Sequence, residues 1–304
     1  MIMLKRGLFY LMLGTVAVFE VQAQSDPVDF QQRWQVGFFA GPGWLFGDLG
    51  GKPGIGKPFL KDWTPSRPAF HGGAQLIYNI DERFSISTHL SAGSLRASDS
   101  WLPESDKSGR RQRNLSVKTG LLEFSTEFRY TARYLGAGAL NNNTVGPFAP
   151  YLSAGVGVIR FEPRAYWQNQ WVSLRPLRTE GQGMKEYADR AAYGKYAFFI
   201  PVTAGFTFKV SQRMHLTLEA VFRKSFTDYL DDVSQKYIDP RYFDQYLTGW
   251  QAIAARALYD RSGEVNGNVR IYNEGEQRGL PGKDSWVSLR AGLIISIGPL
   301  LSYY

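Results

Sequence analysis

The chain is expected to fold as an all-β protein: an eight-stranded antiparallel transmembrane β-barrel with four long extracellular loops, the last containing an amphipathic helix. Three observations predict this. The first is alternation, as in Phe198, Ile200, Val202, Ala204, Phe206 and Phe208 set against Phe199, Pro201, Thr203, Gly205, Thr207 and Lys209. A strand turns successive side chains to opposite faces, so the apolar set faces outward and the small or polar set inward. The second is loop length, because long and short connections alternate along the chain. With both ends on the periplasmic side, an even strand count puts every long loop outside the cell. The third is an N-terminal export signal.

In that signal, Lys5 and Arg6 form the charged region, and Gly7 to Phe19 form an apolar stretch too short to span a bilayer. Val21-Gln22-Ala23 offers a small-residue cleavage site. The expected organisation is therefore a signal peptide at 1–23, a short periplasmic segment at 24–33 and a barrel domain at 34–304. About 280 residues remain after cleavage, enough for one barrel with elaborated loops. There is no cysteine, so neither a lipid-anchored cysteine nor a disulfide framework is available. The apolar runs after the signal are too short for a spanning helix. The net charge is +8. The longest basic run is Gly109-Arg110-Arg111-Gln112-Arg113, so the charge fits an anionic lipopolysaccharide surface and not nucleic acid. Aromatic residues make up 15%, as expected where aromatic girdles mark two membrane interfaces.

The eight strands are expected at 34–48, 69–80, 83–95, 116–133, 148–161, 196–210, 213–227 and 285–298. Asp81-Glu82 and Ser211-Gln212 are hairpin-sized links and 134–147 is a modest turn, whereas 49–68, 96–115, 162–195 and 228–284 are long. The second strand exposes Phe70, Ala74, Leu76 and Tyr78 against His71, Gly73 and Gln75. The third exposes Phe84, Ile86 and Leu90 against Ser85, Ser87, His89 and Ser91. The fourth exposes Leu122, Phe124, Phe128 and Tyr130 against Glu123, Ser125, Glu127 and Arg129. The seventh and eighth place Glu219, Arg223 and Arg290 inward. An eight-stranded barrel is filled by its own side chains. Glu123, Glu127 and Glu219 are thus expected to pair with Arg129, Arg223 and Arg290 in a network that plugs the lumen, since unpaired charge there is costly. In the last loop, Asp239 and Pro240 read as cap and first turn of a helix running to about Tyr259. Phe243, Tyr246, Leu247, Trp250, Ile253, Ala254 and Ala257 form its apolar stripe. The helix is expected to lid the barrel mouth, lie at the lipid interface or dock a partner.

Catalytic signals are few. His71, His89 and His215 all fall on inward faces, with Ser87 and Ser91 beside His89 and Glu219 beside His215. A lipid-modifying enzyme needs such groupings near the outer rim. Serine and small residues fill barrel interiors in any case, so a structural role is expected and no catalytic site. Asp228, Asp231 and Asp232 concentrate carboxylates that suit Ca²⁺, but they lack the glycine and terminal glutamate of an EF-hand loop. Loop anchoring by hydrogen bonds is the expected role, and no cofactor is expected.

Several strings occur in order: Gly47-Asp48-Leu49, Tyr78-Asn79, Asp99-Ser100, Arg113-Asn114-Leu115-Ser116, Pro150-Tyr151 with Gly155-Val156-Gly157, Thr179-Glu180-Gly181-Gln182-Gly183, and Thr227-Asp228-Tyr229-Leu230-Asp231-Asp232-Val233-Ser234. In these the chain resembles the PorG-like outer-membrane barrel family of Bacteroidota, associated with type IX secretion. The resemblance spans nearly the whole mature chain. It implies an integral, non-enzymatic barrel, in some members a component of protein export and gliding machinery. The implied partners are a periplasmic ring lipoprotein and its companion subunit. The alternative is a stand-alone barrel that stabilises the envelope or binds a ligand through loops 162–195 and 228–284, with a lipid-modifying enzyme third.

Overall fold

The computed structural model describes residues 33–51, 67–132, 148–211, 213–280 and 282–298. The expected signal peptide, the segment up to residue 32 and the chain's last residues lie outside these. The strands are β1 (Trp34–Phe46), β2 (Ala69–Asn79), β3 (Phe84–Ser98), β4 (Ser116–Thr131), β5 (Phe148–Trp167), β6 (Gln170–Ser173), β7 (Tyr196–Lys209), β8 (Met214–Ser225) and β9 (Ser285–Ile297). Every pairing is antiparallel between chain neighbours, except that β5 pairs with both β6 and β7. The circuit closes where β9 meets β1, with Trp34 opposite Ile297 and Gly43 opposite Ser288. Eight strands thus form a closed barrel, and β6 is a short return beside β5 above it.

The outer wall is an apolar belt. Phe38, Phe70, Leu90, Phe124, Phe128, Leu152, Val156, Phe198 and Leu218 are all more than half exposed, and they come from seven different strands. On β7 the outward set runs from Phe198 to Phe208. Ten residues at about 3.4 Å each, tilted about 40°, give a band about 25 Å tall, which matches the hydrocarbon height that lipid-facing barrel walls present.

Inside, glycines make room for large inward groups. A Cβ at Gly205 would stand 2.6 Å from the Tyr151 ring, and one at Gly157 would collide with the Phe199 ring. Phe199 joins Leu95, Leu121, Ile159, Phe161, Trp286 and Leu230 in an apolar layer across the cap end of the lumen. Above it, the connections after β3, β6 and β8 fold into a cap with its own core, including Leu115, Val172, Leu177, Tyr237, Phe243 and Leu258.

Three expectations change. The third strand runs to Ser98 and the fifth to Trp167, beyond the expected ends at 95 and 161, and the loop 162–195 contains β6. The turn between β5 and β6 is made by Gln168 and Asn169, both at positive φ, as a two-residue hairpin needs. The loop 96–115 holds a short helix, α1 (Arg110–Arg113). The helix from Pro240 to Tyr259 is not continuous. Asp239 does cap it, accepting from the Arg241 N–H, but a 3₁₀ turn leads into α2 (Phe243–Tyr246), and α3 (Trp250–Leu258) follows separately. Leu247 is extended and Gly249 has φ 51°, ψ −124°, which a non-glycine residue adopts only with strain. The break rotates the second segment. Its buried face is Ala252, Ala254, Ala255 and Leu258, while Trp250 and Ile253 of the expected stripe are exposed.

Candidate functional site

The inward faces of the strands bring the six expected lumen charges together with two histidines and several hydroxyls. Glu123 binds Arg223 Nε at 2.8 Å through one oxygen and meets His71 Nε2 at 3.0 Å through the other, which also accepts from Trp286 Nε1 at 3.2 Å. Glu219 accepts from Arg290 Nε at 2.5 Å and from the Tyr151 hydroxyl, with Arg129 3.8 Å away. Glu127 accepts from Ser153 and Thr203 at 2.5 and 2.8 Å and lies 3.8 Å from His89. Arg290 and Arg129 stack over Phe39 and Tyr151 at 4.1 and 4.2 Å. Each carboxylate therefore has a cation or donors at hand, the condition under which buried charge is tolerated. His71 and His89 are fully enclosed in this layer.

A second polar centre lies just above the barrel, and the ordered sequence strings converge on it. Arg113, delivered at the C-terminal end of α1, grips Asp99 with Nε at 2.7 Å and Nη2 at 2.8 Å. The same guanidinium donates to the Asp48 carbonyl at 2.8 Å and to the Arg278 carbonyl. Asp99 also accepts from the Leu115 N–H at 3.1 Å. One side chain thus ties the ends of β1 and β3 to the last loop. Arg278 in turn reaches Glu180 at 3.0 Å and the Asp232 carbonyl at 2.7 Å. Glu180 accepts from the backbone N–H groups of Ser234 and Gln235, at 3.0 and 3.1 Å. Thr179 donates to Asp232 at 2.6 Å, and Tyr193 donates to its other oxygen. Tyr193 stacks on Tyr229 with ring centroids 4.4 Å apart. Gln182 accepts from the Glu180 N–H, Gly181 sits at φ 78° against the Tyr187 ring, and Asn114 donates to Glu264 at 3.0 Å.

Asp48, Asp228, Asp231 and Asp284 crowd beside this knot. The Asp48 N–H donates to Asp231 at 2.7 Å, the Leu230 N–H to Asp284 at 2.8 Å, and Ser234 to Asp228 at 2.5 Å. A Cβ on Gly47 would strike the Asp231 carboxyl and come within 3.0 Å of Asp284. Burial pushes the Asp48 carboxyl up to about 7, against the pull of Arg113. Burial raises Asp231 and Asp284 well above the usual range, helped by the charge of Asp48 at Asp231 and of Asp231 at Asp284. Burial takes Asp232 to about 6, opposed by Arg278. These groups are held by backbone N–H donors and by the Ser234 hydroxyl. Among the described residues no group of three or more His, Cys, Asp or Glu is placed to hold a metal ion. Arg278, Asp284, Arg190 and Tyr193 complete the knot and carry no local sequence signal, because each is a lone polar residue in a long connection.

The fold and its two polar centres define a closed, antiparallel eight-stranded barrel with an occupied lumen and a structured loop cap. The chain belongs to the family described as a domain of unknown function, DUF6089, whose profile matches residues 7–243. Comparison with curated proteins gives no match. Among solved structures, Neisserial surface protein A is 9% identical at a TM-score of 0.37, covering 87% of this chain and 97% of its own. OprG of Pseudomonas aeruginosa is 9% identical at 0.35, covering 90% and 100%. Outer membrane protein W of E. coli is 10% identical at 0.32, covering 86% and 97%. The fold assignment rests on the chain's own strand pairing.

Proposed function

We infer that this chain is a non-catalytic, integral outer-membrane barrel. In this reading it is a scaffold or accessory component of type IX protein secretion and gliding machinery. The observation that carries the membrane part is the continuous apolar wall around a lumen blocked by an ion-pair layer and then by an apolar layer. A water-soluble barrel would turn its apolar faces inward, and a diffusion channel would keep a wet path. The histidines argue against a lipid-modifying enzyme, since His71 and His89 are shut inside the plug and hydrogen-bond or face glutamates there. In this reading, function lies on surfaces at the two ends. The ordered sequence strings and the exposed Trp250 and Ile253 of α3 favour the cap. A periplasmic ring lipoprotein and its companion subunit are the proposed partners at the opposite end, where the short turns face the periplasm.

The test is deletion of the gene together with any paralogue, followed by measurement of type IX cargo in the culture medium. Loss of export, restored by the wild-type chain, is expected; unchanged export would overturn the secretion role. The exposed α3 face favours the second reading, a stand-alone barrel that binds through its loops. It predicts that replacing residues 240–258 with a short linker abolishes ligand binding while export continues.

A further inference from the structure

Where β3, β4 and β5 leave the apolar belt toward the cap, their outward residues turn cationic. The register places Arg96 directly opposite Lys118, and Lys118 directly opposite Arg164. Outward parity is set by Leu90 on β3, Leu122 on β4 and Val156 on β5, all exposed and an even number of residues from the cations. Three like charges therefore stand side by side on neighbouring strands about 5 Å apart, an arrangement that weakens a sheet unless an anion sits over it. Arg160 and Lys195 add exposed cations beside the row. Among the described residues lining this patch Glu162 is the one acid, and it lies 3.9 Å from Arg175. No carboxylate among the described residues pairs with Arg96, Lys118, Arg160 or Arg164.

The wall here is also concave. A cleft of about 480 Å³ is lined by Gly120, Leu122, Arg160, Arg164 and Arg175, among others. Gly120 faces open space where a side chain would otherwise project. Arg175 Nε is buried and makes no hydrogen bond, its ion pair with Glu162 standing at 3.9 Å. Exposed aromatic residues frame the site. Tyr166 packs edge-on against Trp171, Lys118 lies over the Trp171 ring at 5.3 Å, and Tyr196 sits opposite Arg160. Directly below, Leu90, Leu122, Phe124 and Val156 continue as bare hydrocarbon wall.

A row of guanidinium and ammonium groups at an aromatic girdle, with apolar wall beneath, fits one kind of molecule. We propose that this cleft, lined by Arg160 and Arg164, and the row of Arg96 and Lys118 beside Arg164 together bind a phosphate-bearing lipid of the surrounding leaflet, its phosphates on these cations and its acyl chains along the wall below. Arginine forks match phosphate oxygens, and such contacts gain strength at the headgroup level. The assignment rests on the membrane reading above, with the cap end facing the phosphate-rich leaflet. A soluble phosphate would use the same cations but gain nothing from the wall.

The test uses the full chain, purified and folded in a detergent without phosphate. Binding is measured by native mass spectrometry with diphosphorylated lipid A, its dephosphorylated form, and inorganic phosphate. Lipid A is expected to bind at least tenfold tighter than the dephosphorylated form. The combined variant Arg96→Gln, Lys118→Gln, Arg164→Gln should lose that difference. Gly120→Phe, which fills the cleft and leaves every charge in place, should weaken lipid A as well. Lys209→Gln with Arg213→Gln, at the opposite end, should bind like wild type. Equal lipid A binding by wild type and the triple variant would overturn the proposal. So would displacement of lipid A by inorganic phosphate at similar concentration, which would assign the site to a soluble anion. Should the triple variant not fold, the dephosphorylated lipid and Gly120→Phe decide. The assay is independent of where the chain resides in the cell, so a failure of outer-membrane fractionation is a separate result.

Discussion

Replacing Arg113 with Met should open the cap and leave the barrel closed. Arg113 is 5% exposed and Asp99 0%, so the substitution strands a buried carboxylate with only the Leu115 and Gly50 N–H groups, at 3.1 and 3.3 Å. It also removes the donors to the Asp48 and Arg278 carbonyls. Breaking a buried ion pair from one side costs about 3–5 kcal/mol. At about 1.4 kcal/mol per factor of ten, the open cap should become about 10² to 4 × 10³ times more populated. Cleavage by a broad-specificity protease follows that population when reclosing is fast. The assay is proteolysis of the folded protein in detergent, with cut sites mapped by mass spectrometry. Cuts should appear within 96–115 and 226–284, while the barrel keeps its heat-dependent gel shift. Adding Asp99→Leu should recover part of the protection, because the stranded charge is then gone. A cleavage rate within about threefold of wild type would refute the role given to Arg113.

Three further outcomes follow from the same contacts. Arg290→Met leaves Glu219 with Tyr151 and a more distant Arg129, so the barrel should lose about 3–5 kcal/mol in urea unfolding, and Arg290→Met with Glu219→Leu should lose less. Gly157→Ala forces a methyl against the Phe199 ring, and a loss of about 1–3 kcal/mol in the same titration is expected. Asp48 titrates at about 7 in the folded cap and near 3.8 when unfolded, so the folded state binds more protons between those values. Cap protection against protease should therefore fall as pH rises from about 4 to 7, by up to about 1.4 kcal/mol per pH unit for each such carboxyl. Asp48→Asn should flatten that slope.

The strand positions were legible wherever lipid faces one side and a polar lumen the other. The pattern inverts at the membrane border, and that is where the expected ends fall short. On β5, Ile159, Phe161 and Ala165 point inward to apolar surroundings, while Arg160, Glu162 and Arg164 point out. The same inversion sets Leu95 and Ala97 against Arg96, and Val117 against Lys118. A rule that fixes apolar side chains outward ends these strands too early. The strings carrying the family resemblance contain most of the cap knot. Its long-range partners, Arg278 and Asp284, have no period and no motif, and only the closed fold brings them to Glu180 and the Leu230 N–H. The helix break was missed because apolar spacing read smoothly across Gly249, whose backbone conformation turns Trp250 and Ile253 to solvent.

Embedding in lipid and closure of the barrel are tested together by membrane extraction and gel migration. Outer membranes from cells expressing the full chain are washed with carbonate, and the pellet is run on a denaturing gel with and without boiling. A band retained in the pellet that migrates differently before and after heating is the predicted result. A band released by carbonate that shows no heat-dependent shift would contradict the account.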